Sequence, residues 1–341
     1  MTESIGWYVH HHGRGHLTRL LSIAPHVDAD IRCFSSLPRP DMLPFHCTWT
    51  MVDRDDEVAG DGGDPRDADP TAGGLLHWAP LGHRGHRGRM SAIVASLADD
   101  PVDAFVVDVS VEVTLLVRLL GFRVVLIAQP GARDDSAHHL AFQAATTIVA
   151  PWPRSLLEPA HLAAFGNKTV YTGGISRYEA RLATPPPTSP RGDDIVVLGG
   201  AGGSAVSGGD IASAAQATGR RWHDLGATPD ATWSADPWGE LTTAGAVVSW
   251  AGQNAIADLA AAETPAIVIP QERPFAEQRE TARALEQAGL AIVIPEWPER
   301  SAWSSLIERA TNLRPDWDRW EVRGAAARAA RAICETAGGC R

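Results

Sequence analysis

The sequence predicts an α/β protein built from two Rossmann-like domains in tandem, facing each other across a cleft. A chain of 341 residues exceeds what one core ordinarily organises, so two domains of about 150–180 residues are expected. Short β-rich runs alternate with helical patterns along the whole length, the signature of parallel sheets with helical crossovers. The alternation breaks at "LATPPPTSPRGD" (182–193), where four prolines and no apolar periodicity read as a semi-rigid linker.

Before that linker, strands are expected at "IGWYVH" (5–10), "IRCFSS" (31–36), "AFVVDV" (104–109), "RVVLIA" (123–128) and "TTIVAP" (146–151). Helical patterns fall near 17–26, 86–98, 111–120 and 135–143. The acidic, Gly- and Pro-rich segment 53–75 is longer than an ordinary connection and reads as a mobile surface loop. After the linker come "DIVVLGG" (194–200), a helix near 207–218, "AVVSW" (246–250), a helix at 253–263, "PAIVIP" (265–270), a helix at 276–288 and "LAIVIP" (290–295). Helices near 302–313 and 322–336 close the chain. The expected division is therefore 1–181, the linker 182–193, 194–321, and a terminal helix in 322–341 long enough to pack back on the first domain. Folds of this kind bind ligands beyond the carboxyl ends of their strands.

An apolar fraction of 44% and a charged fraction of 21% belong to an ordinary globular protein. The formal net charge of −11 argues against nucleic acid as a partner, because phosphate backbones are met by basic faces. One basic run, "GHRGHRGR" (82–89), reads either as a solvated helix start or as a face for an anionic acceptor or lipid headgroup. That leaves peripheral membrane contact open. Cys33, Cys47, Cys334 and Cys340 show no CxxC spacing, so neither a disulfide framework nor a structural zinc site is indicated and a cytoplasmic location is expected. No signal-peptide pattern opens the chain, and no apolar run reaches the ~18–20 residues of a membrane span.

Two glycine turns carry chemistry. "DIVVLGGAGGS" (194–204) is a buried strand running into Gly199, Gly200, Gly202, Gly203 and Ser204. Glycines let backbone N–H groups face outward at a helix N-terminus, where positive partial charge collects, which suits a phosphate. A plain tight turn fits the same residues. In "VVSWAGQNAIADLAAAETPAIVIP" (247–270) a strand ends at Trp250, Gly252 permits the turn, and Gln253 and Asn254 open a helix carrying Asp258. A carboxylate there suits a ribose diol, and a solvated first-turn acid is the plainer reading. Trp152 and Trp250, at strand ends, are placed to stack on sugar or base, whereas Trp303, Trp317 and Trp320 read as helix-packing residues.

The segments "GQNAIADLAAAETPAIVIP" and "EQRETARALEQAGLAIVI" together resemble, over about fifty residues in order, the C-terminal half of a GT-B glycosyltransferase. The nearest type is family 28, which includes the N-acetylglucosaminyl transferase of lipid II synthesis. Trp250 stands where relatives usually carry His or Arg, and Asp258 replaces the usual Glu. The resemblance implies that a nucleotide diphosphate sugar, UDP-linked by preference, is held by Gly200, Gly202, Gly203, Ser204, Trp250, Gly252, Gln253 and Asn254. Asp258 would meet the ribose and Gln278 the sugar. "YTGGISR" (171–177) is similar to the crossover of that family, which would bring Arg177 to the diphosphate.

The opening stretch "HHHGRGHLTR" (10–19) resembles the first Gly-rich loop of the same enzymes through Gly13, Gly15 and His16. By that resemblance His16 is the general base that deprotonates an acceptor hydroxyl; orienting the loop or meeting a substrate phosphate is the alternative. A positioned imidazole with a pKa near 6.5 suits the base role. Asp108, at the end of a strand, reads as an orienting partner of His16, an acceptor ligand or a capping acid. His11, His12, Gly13, Gly15 and Gln129 are expected on the acceptor side, with Arg133 beside Gln129. Three consecutive histidines also raise metal ligation, but no acidic or cysteine ligand lies near them in sequence, so neither metal nor cofactor is expected. The implied reaction is inverting, metal-independent transfer to a hydroxyl on a glycan, a lipid-linked saccharide or a small molecule. Two other readings of the fold are a sugar-nucleotide 2-epimerase or hydrolase, and a non-catalytic sugar-nucleotide or glycan-binding protein.

Overall fold

A computed structural model describes residues 3–58, 63–183, 191–200, 203–231 and 234–339. Most of the 182–193 linker and Gly202 lie outside these residues. The first domain holds β1 (Ser4–Val9), α1 (Gly15–Ile23), β2 (Asp30–Ser35), β3 (Cys47–Met51), α2 (Arg84–Asp99), β4 (Ala104–Asp108), α3 (Val111–Leu119), β5 (Val124–Ile127), α4 (Ser136–Ala144), β6 (Thr147–Ala150), α5 (Ala160–Ala163) and β7 (Thr169–Tyr171). All seven strands are parallel, in the order β3-β2-β1-β4-β5-β6-β7. The second domain begins with β8 (Ile195–Leu198), α6 (Gly208–Thr218), β9 (Trp222–Leu225), α7 (Trp238–Thr243) and β10 (Ala246–Ser249). It continues through α8 (Gln253–Ala261), β11 (Ala266–Val268), α9 (Glu277–Gln287), β12 (Ile292–Val293) and α10 (Trp303–Asn312). Its five parallel strands run β12-β11-β10-β8-β9.

Both strand orders reverse direction once, between β1 and β4 in the first sheet and between β8 and β10 in the second. At such a switch point the loops leaving two adjacent strands diverge and open a crevice. The loop leading to His16 leaves β1, and Asp108 ends β4; the two glycine turns leave β8 and β10. Topology therefore puts the His16 region, Asp108 and the two glycine turns at the switch points.

Apolar side chains fill both faces of each sheet. One face of the first sheet buries Tyr8, Phe34 and Phe105 against α2, α3 and α4. The other packs Trp7, Val9 and Ile31 against α1 and the final helix, α11 (Ala325–Ala337). Along α11, Ala325, Ala326, Ala329, Ala330, Ile333 and Ala337 fall on one helical stripe whose small side chains bring it close to the sheet. The last helix of the chain thus belongs to the core of the first domain.

Five of these strands and helices are not visible as patterns in the sequence. β3, β7 and β9 are short strands at sheet edges with few fully buried residues, and α5 and α7 have four and six residues. Segment 53–75, expected to be mobile, is pinned in its described parts by Ala79 N–H to Pro70 O at 2.6 Å and Leu81 N–H to Ala68 O at 2.8 Å. Cys33 and Cys47 are free and buried, whereas Cys334 is disulfide-bonded, against the expectation from spacing.

Candidate functional site

α1 begins at Gly15, and Gly13, with φ of +73°, makes the turn that leads into it. A left-handed backbone of this kind carries little strain only for glycine. His16, in the first turn, is 8% exposed, and its Nδ1 lies 2.9 Å from Oδ1 of Asp108, which is fully buried. Burial alone would push the Asp108 carboxyl up; the charges of Arg19 and His16 outweigh it and hold the group below its ordinary value. An ionised carboxylate only accepts, so Nδ1 carries the imidazole proton and Nε2 is left as the acceptor. Among the described residues no group hydrogen-bonds Nε2. That is the tautomer a general base requires.

Arg19, three residues along α1 and 3% exposed, reaches both Asp108 oxygens from Nη1, at 2.6 and 2.8 Å. Its Nη2 donates to Gln253 Oε1 in the second domain at 2.9 Å. Beside this link, Asn254 Nδ2 donates to the Gly15 carbonyl at 2.9 Å. The His16 helix and the opening of α8 therefore meet end to end across the cleft. Val109, immediately after Asp108, sits at φ +69°, and Ala251, just before α8, at +58°. Left-handed conformations in a β-branched residue and in alanine are sources of strain, of the kind that gathers at functional sites.

Of the remaining acceptor candidates, His11 stacks on His10, with ring centroids 4.9 Å apart. His11 is buried and leaves Nε2 without a hydrogen bond, 3.3 Å from Asp56 and 3.7 Å from Asp55. His12 is exposed and pairs with Asp56 at 3.2 Å. Burial, then the Arg89 charge, lowers the pKa of His11. Arg89 is the correction to the basic run at 82–89: it is 2% exposed, bonded to Tyr8 Oη, Ser36 Oγ, the Asp55 carboxylate and the Asp53 carbonyl. It braces the floor under the histidines rather than facing solvent. Gln129, at the exit of β5, accepts from Arg133 Nη2 at 2.8 Å. Arg133 in turn lies 4.9 Å from the centre of the Phe275 ring, and Ala132 N–H bonds the Phe275 carbonyl at 2.7 Å, a second bridge between domains. Gly131 makes that approach possible, since a Cβ there would lie 2.2 Å from Phe275 O.

Among the described residues two groups could hold a metal ion, His11 with His12 and Asp56, and His77 with Asp135 and His138. In each a histidine faces a guanidinium through its other nitrogen: His11 Nδ1 and Arg89 Nη2 at 3.4 Å, His138 Nε2 and Arg133 Nη1 at 2.8 Å. A neutral imidazole bound to metal through one nitrogen must carry its proton on the other. That proton would oppose an arginine N–H in both groups. The donor sets do not suit a metal.

The two glycine turns differ. After β8, Ser204 Oγ donates to the Ala227 carbonyl at 2.8 Å, Gly203 has φ of +70°, and Gly200 is exposed. The helix that follows is already closed: Ser207 and Asp210 form a capping box at the start of α6. α8, by contrast, has Gly252 at its N-cap and no side-chain cap. Its first N–H groups, at the positive end of its dipole, meet no capping side chain, an arrangement that suits an anion. Gln278 is buried and its Oε1 accepts from Gln271 N–H at 2.9 Å, bracing the loop after β11.

Three residues expected at the donor make contacts within the protein. Trp250 is 4% exposed and packs near Trp297 in the core, with Nε1 unpaired. Asp258 is 3% exposed; it accepts from Ser176 Oγ at 2.7 Å and from Arg177 Nε at 3.0 Å. Burial pushes Asp258 up to about 6 against the pull of Arg177. The pair joins the crossover to α8, while Arg177 Nη1 also donates to the Ala235 carbonyl at 3.1 Å. Sequence reasoning missed Arg19, although its spacing of three from His16 put both on one helix face. It also missed Ser176 and Phe275, which no local pattern marks.

Residues 239–331 match the family model of the glycosyltransferase family 28 C-terminal domain. No curated protein matches the chain. Among solved structures, the glycotransferase of kitacinnamycin superposes with a TM-score of 0.71 at 14% identity, covering 98% of this chain and 100% of that one. MurG of Acinetobacter baumannii gives 0.63 at 14% identity over 98% and 99%. LpCGTa, solved in complex with UDP, gives 0.61 at 16% over 100% and 96%. At these identities the likeness is one of fold, two parallel sheets facing a cleft in the GT-B arrangement.

Proposed function

We propose that this chain, a glycosyltransferase of the GT-B fold with a family 28 C-terminal domain, transfers a sugar from a UDP-sugar to an acceptor hydroxyl with inversion, and that His16 is its general base. The observation that carries the reading is the His16–Asp108 pair lying against the uncapped opening of α8. UDP as the donor nucleotide is supported by the complex of the similar LpCGTa.

In this reading the diphosphate lies on the first N–H groups of α8, near Gly252, Gln253 and Asn254, and on the turn at Gly200, Gly203 and Ser204. His16 Nε2 takes the proton of the acceptor hydroxyl while its Nδ1–H stays on Asp108. The acceptor oxygen forms a bond to the anomeric carbon as the bond from that carbon to the diphosphate oxygen breaks on the opposite face, which inverts the centre. The electron pair leaves with UDP, and its growing charge is met by the dipole and N–H groups of α8. His11, His12 and Gln129 line the acceptor side. Asp258 and Arg177 hold the domains in register and touch neither substrate.

The test is UDP release from UDP-sugars with and without a panel of hydroxyl acceptors, with the product anomer read by NMR. Acceptor-dependent release giving the inverted anomer is expected. Release or epimerisation that ignores every acceptor would replace transfer with the hydrolase or epimerase reading.

A further inference from the structure

A histidine held by a buried carboxylate faces a difficulty as a base. The carboxylate stabilises the imidazolium, so the stronger the pairing, the more of the base is already protonated at neutral pH. In this chain the carboxylate is not the property of His16 alone. Arg19 binds both of its oxygens at 2.6 and 2.8 Å, while His16 shares one of them at 2.9 Å. Arg19 is itself nearly sealed from solvent and is fixed at its far nitrogen by Gln253. The groups facing His16 are Asp108 from β4, Arg19 from its own helix and His10 from the end of β1, with ring centroids 5.7 Å apart. α8 contributes the amides of Gln253 and Asn254, which carry no charge.

We propose that Arg19 is a positioning residue for the transfer reaction: a buried cation, shared with Asp108 and tied to the donor helix through Gln253, that keeps the His16 imidazole neutral and its Nε2 free to accept a proton. The Asp108 carboxylate then orients the ring without charging it. The two bonds from one Arg19 nitrogen hold the Asp108 plane, and Asp108 holds the Nδ1–H tautomer. Because the other arm ends on the first residue of α8, the arrangement is complete only when the two domains meet. The inference rests on His16 being the base.

Its test is a titration of His16 by NMR in the full-length protein labelled in histidine, with the resonance assigned by its loss in His16→Gln. Arg19→Met removes the cation, Arg19→Gln removes it while retaining N–H donors for folding, and Arg19→Lys restores charge. Removing an opposite charge from a shared carboxylate shifts a partner by about 1–3 pKa units. The His16 pKa is expected to rise by about one unit or more in Arg19→Met and Arg19→Gln and to return toward wild type in Arg19→Lys. The acidic limb of kcat/KM for transfer should move up in parallel. An unchanged His16 pKa in the neutral variants, whatever their loss of Tm or kcat, overturns the proposal. Transfer that survives in His16→Gln would instead remove the base assignment, a failure the titration itself does not share.

Discussion

Asp108→Asn separates the two jobs of the buried carboxylate. The side chain is fully buried and accepts three contacts, one from His16 and two from Arg19. An amide in its place leaves the Arg19 charge, 3% exposed, without a counter-ion. Breaking a buried pair by removing one partner costs about 3–5 kcal/mol, against a typical domain stability of about 5–15 kcal/mol. Catalysis suffers through a different route. An amide nitrogen turned toward Nδ1 favours the tautomer with the proton on Nε2, which cannot then accept one, so most of the ~10²–10⁴-fold contribution of a general base should vanish. The assay is UDP release at saturating donor beside urea unfolding. Pairing Asp108→Asn with Arg19→Met removes the stranded charge and should recover part of the stability, yet none of the activity. Turnover of Asp108→Asn within about threefold of wild type would refute the dyad, because no other described group fixes the His16 tautomer.

Gly252→Asp should cap α8: the backbone there, φ −68° and ψ 139°, accepts a side chain, and nothing lies within 4 Å of the new Cβ. Stability should rise by about 0.5–1 kcal/mol while UDP affinity, read by calorimetry, falls more than about tenfold through repulsion at the anion site. Asp258, pushed up to about 6 by burial, binds its proton more tightly folded than unfolded. Its contribution therefore falls as pH rises from about 4 to 6, by about 3 kcal/mol, and Asp258→Asn should remove that fall from a urea-unfolding series. His138, lowered to about 4 by burial and by Arg133 despite its bond to Asp135, has the opposite sign. Stability is lost as pH falls from about 6.5 to 4, again by about 3 kcal/mol, and His138→Gln should remove that loss. The two slopes oppose each other in wild type, so each substitution unmasks the other: stability should rise with pH between about 4 and 6 in Asp258→Asn and fall in His138→Gln. Val109→Gly should raise stability by about 1 kcal/mol, read by the urea midpoint, since relief of the left-handed φ outweighs the added freedom of the unfolded chain.

Periodicity and turn chemistry made the architecture legible. Buried parallel strands are written as unbroken apolar runs such as "AFVVD" and "DIVVL", and the glycine turns after them mark the carboxyl ends where crevices open. His16 and Asp108, 92 residues apart, could be paired from sequence only by assuming that their strands are neighbours. The topology supplies that adjacency. What could not be read was the fate of charges near the domain boundary. Asp258 looks like a helix acid facing out, and only the packing of the crossover shows Ser176 and Arg177 waiting for it. Trp250 looks like a stacking surface at a strand end, but the pleat turns it inward toward Trp297. Arg89 sits in a run of exposed-looking basic residues while its guanidinium bonds Tyr8, Ser36, Asp53 and Asp55. In each case long-range partners, invisible to local pattern, decide whether a polar residue serves the ligand or the fold.

The most direct measurement pairs calorimetric UDP binding with donor turnover in His16→Gln. A base facing the acceptor, with the diphosphate held separately on α8, predicts UDP affinity close to wild type and transfer reduced about 10²-fold or more. Transfer near the wild-type rate in that variant, or no UDP binding by the wild-type chain, would contradict the account.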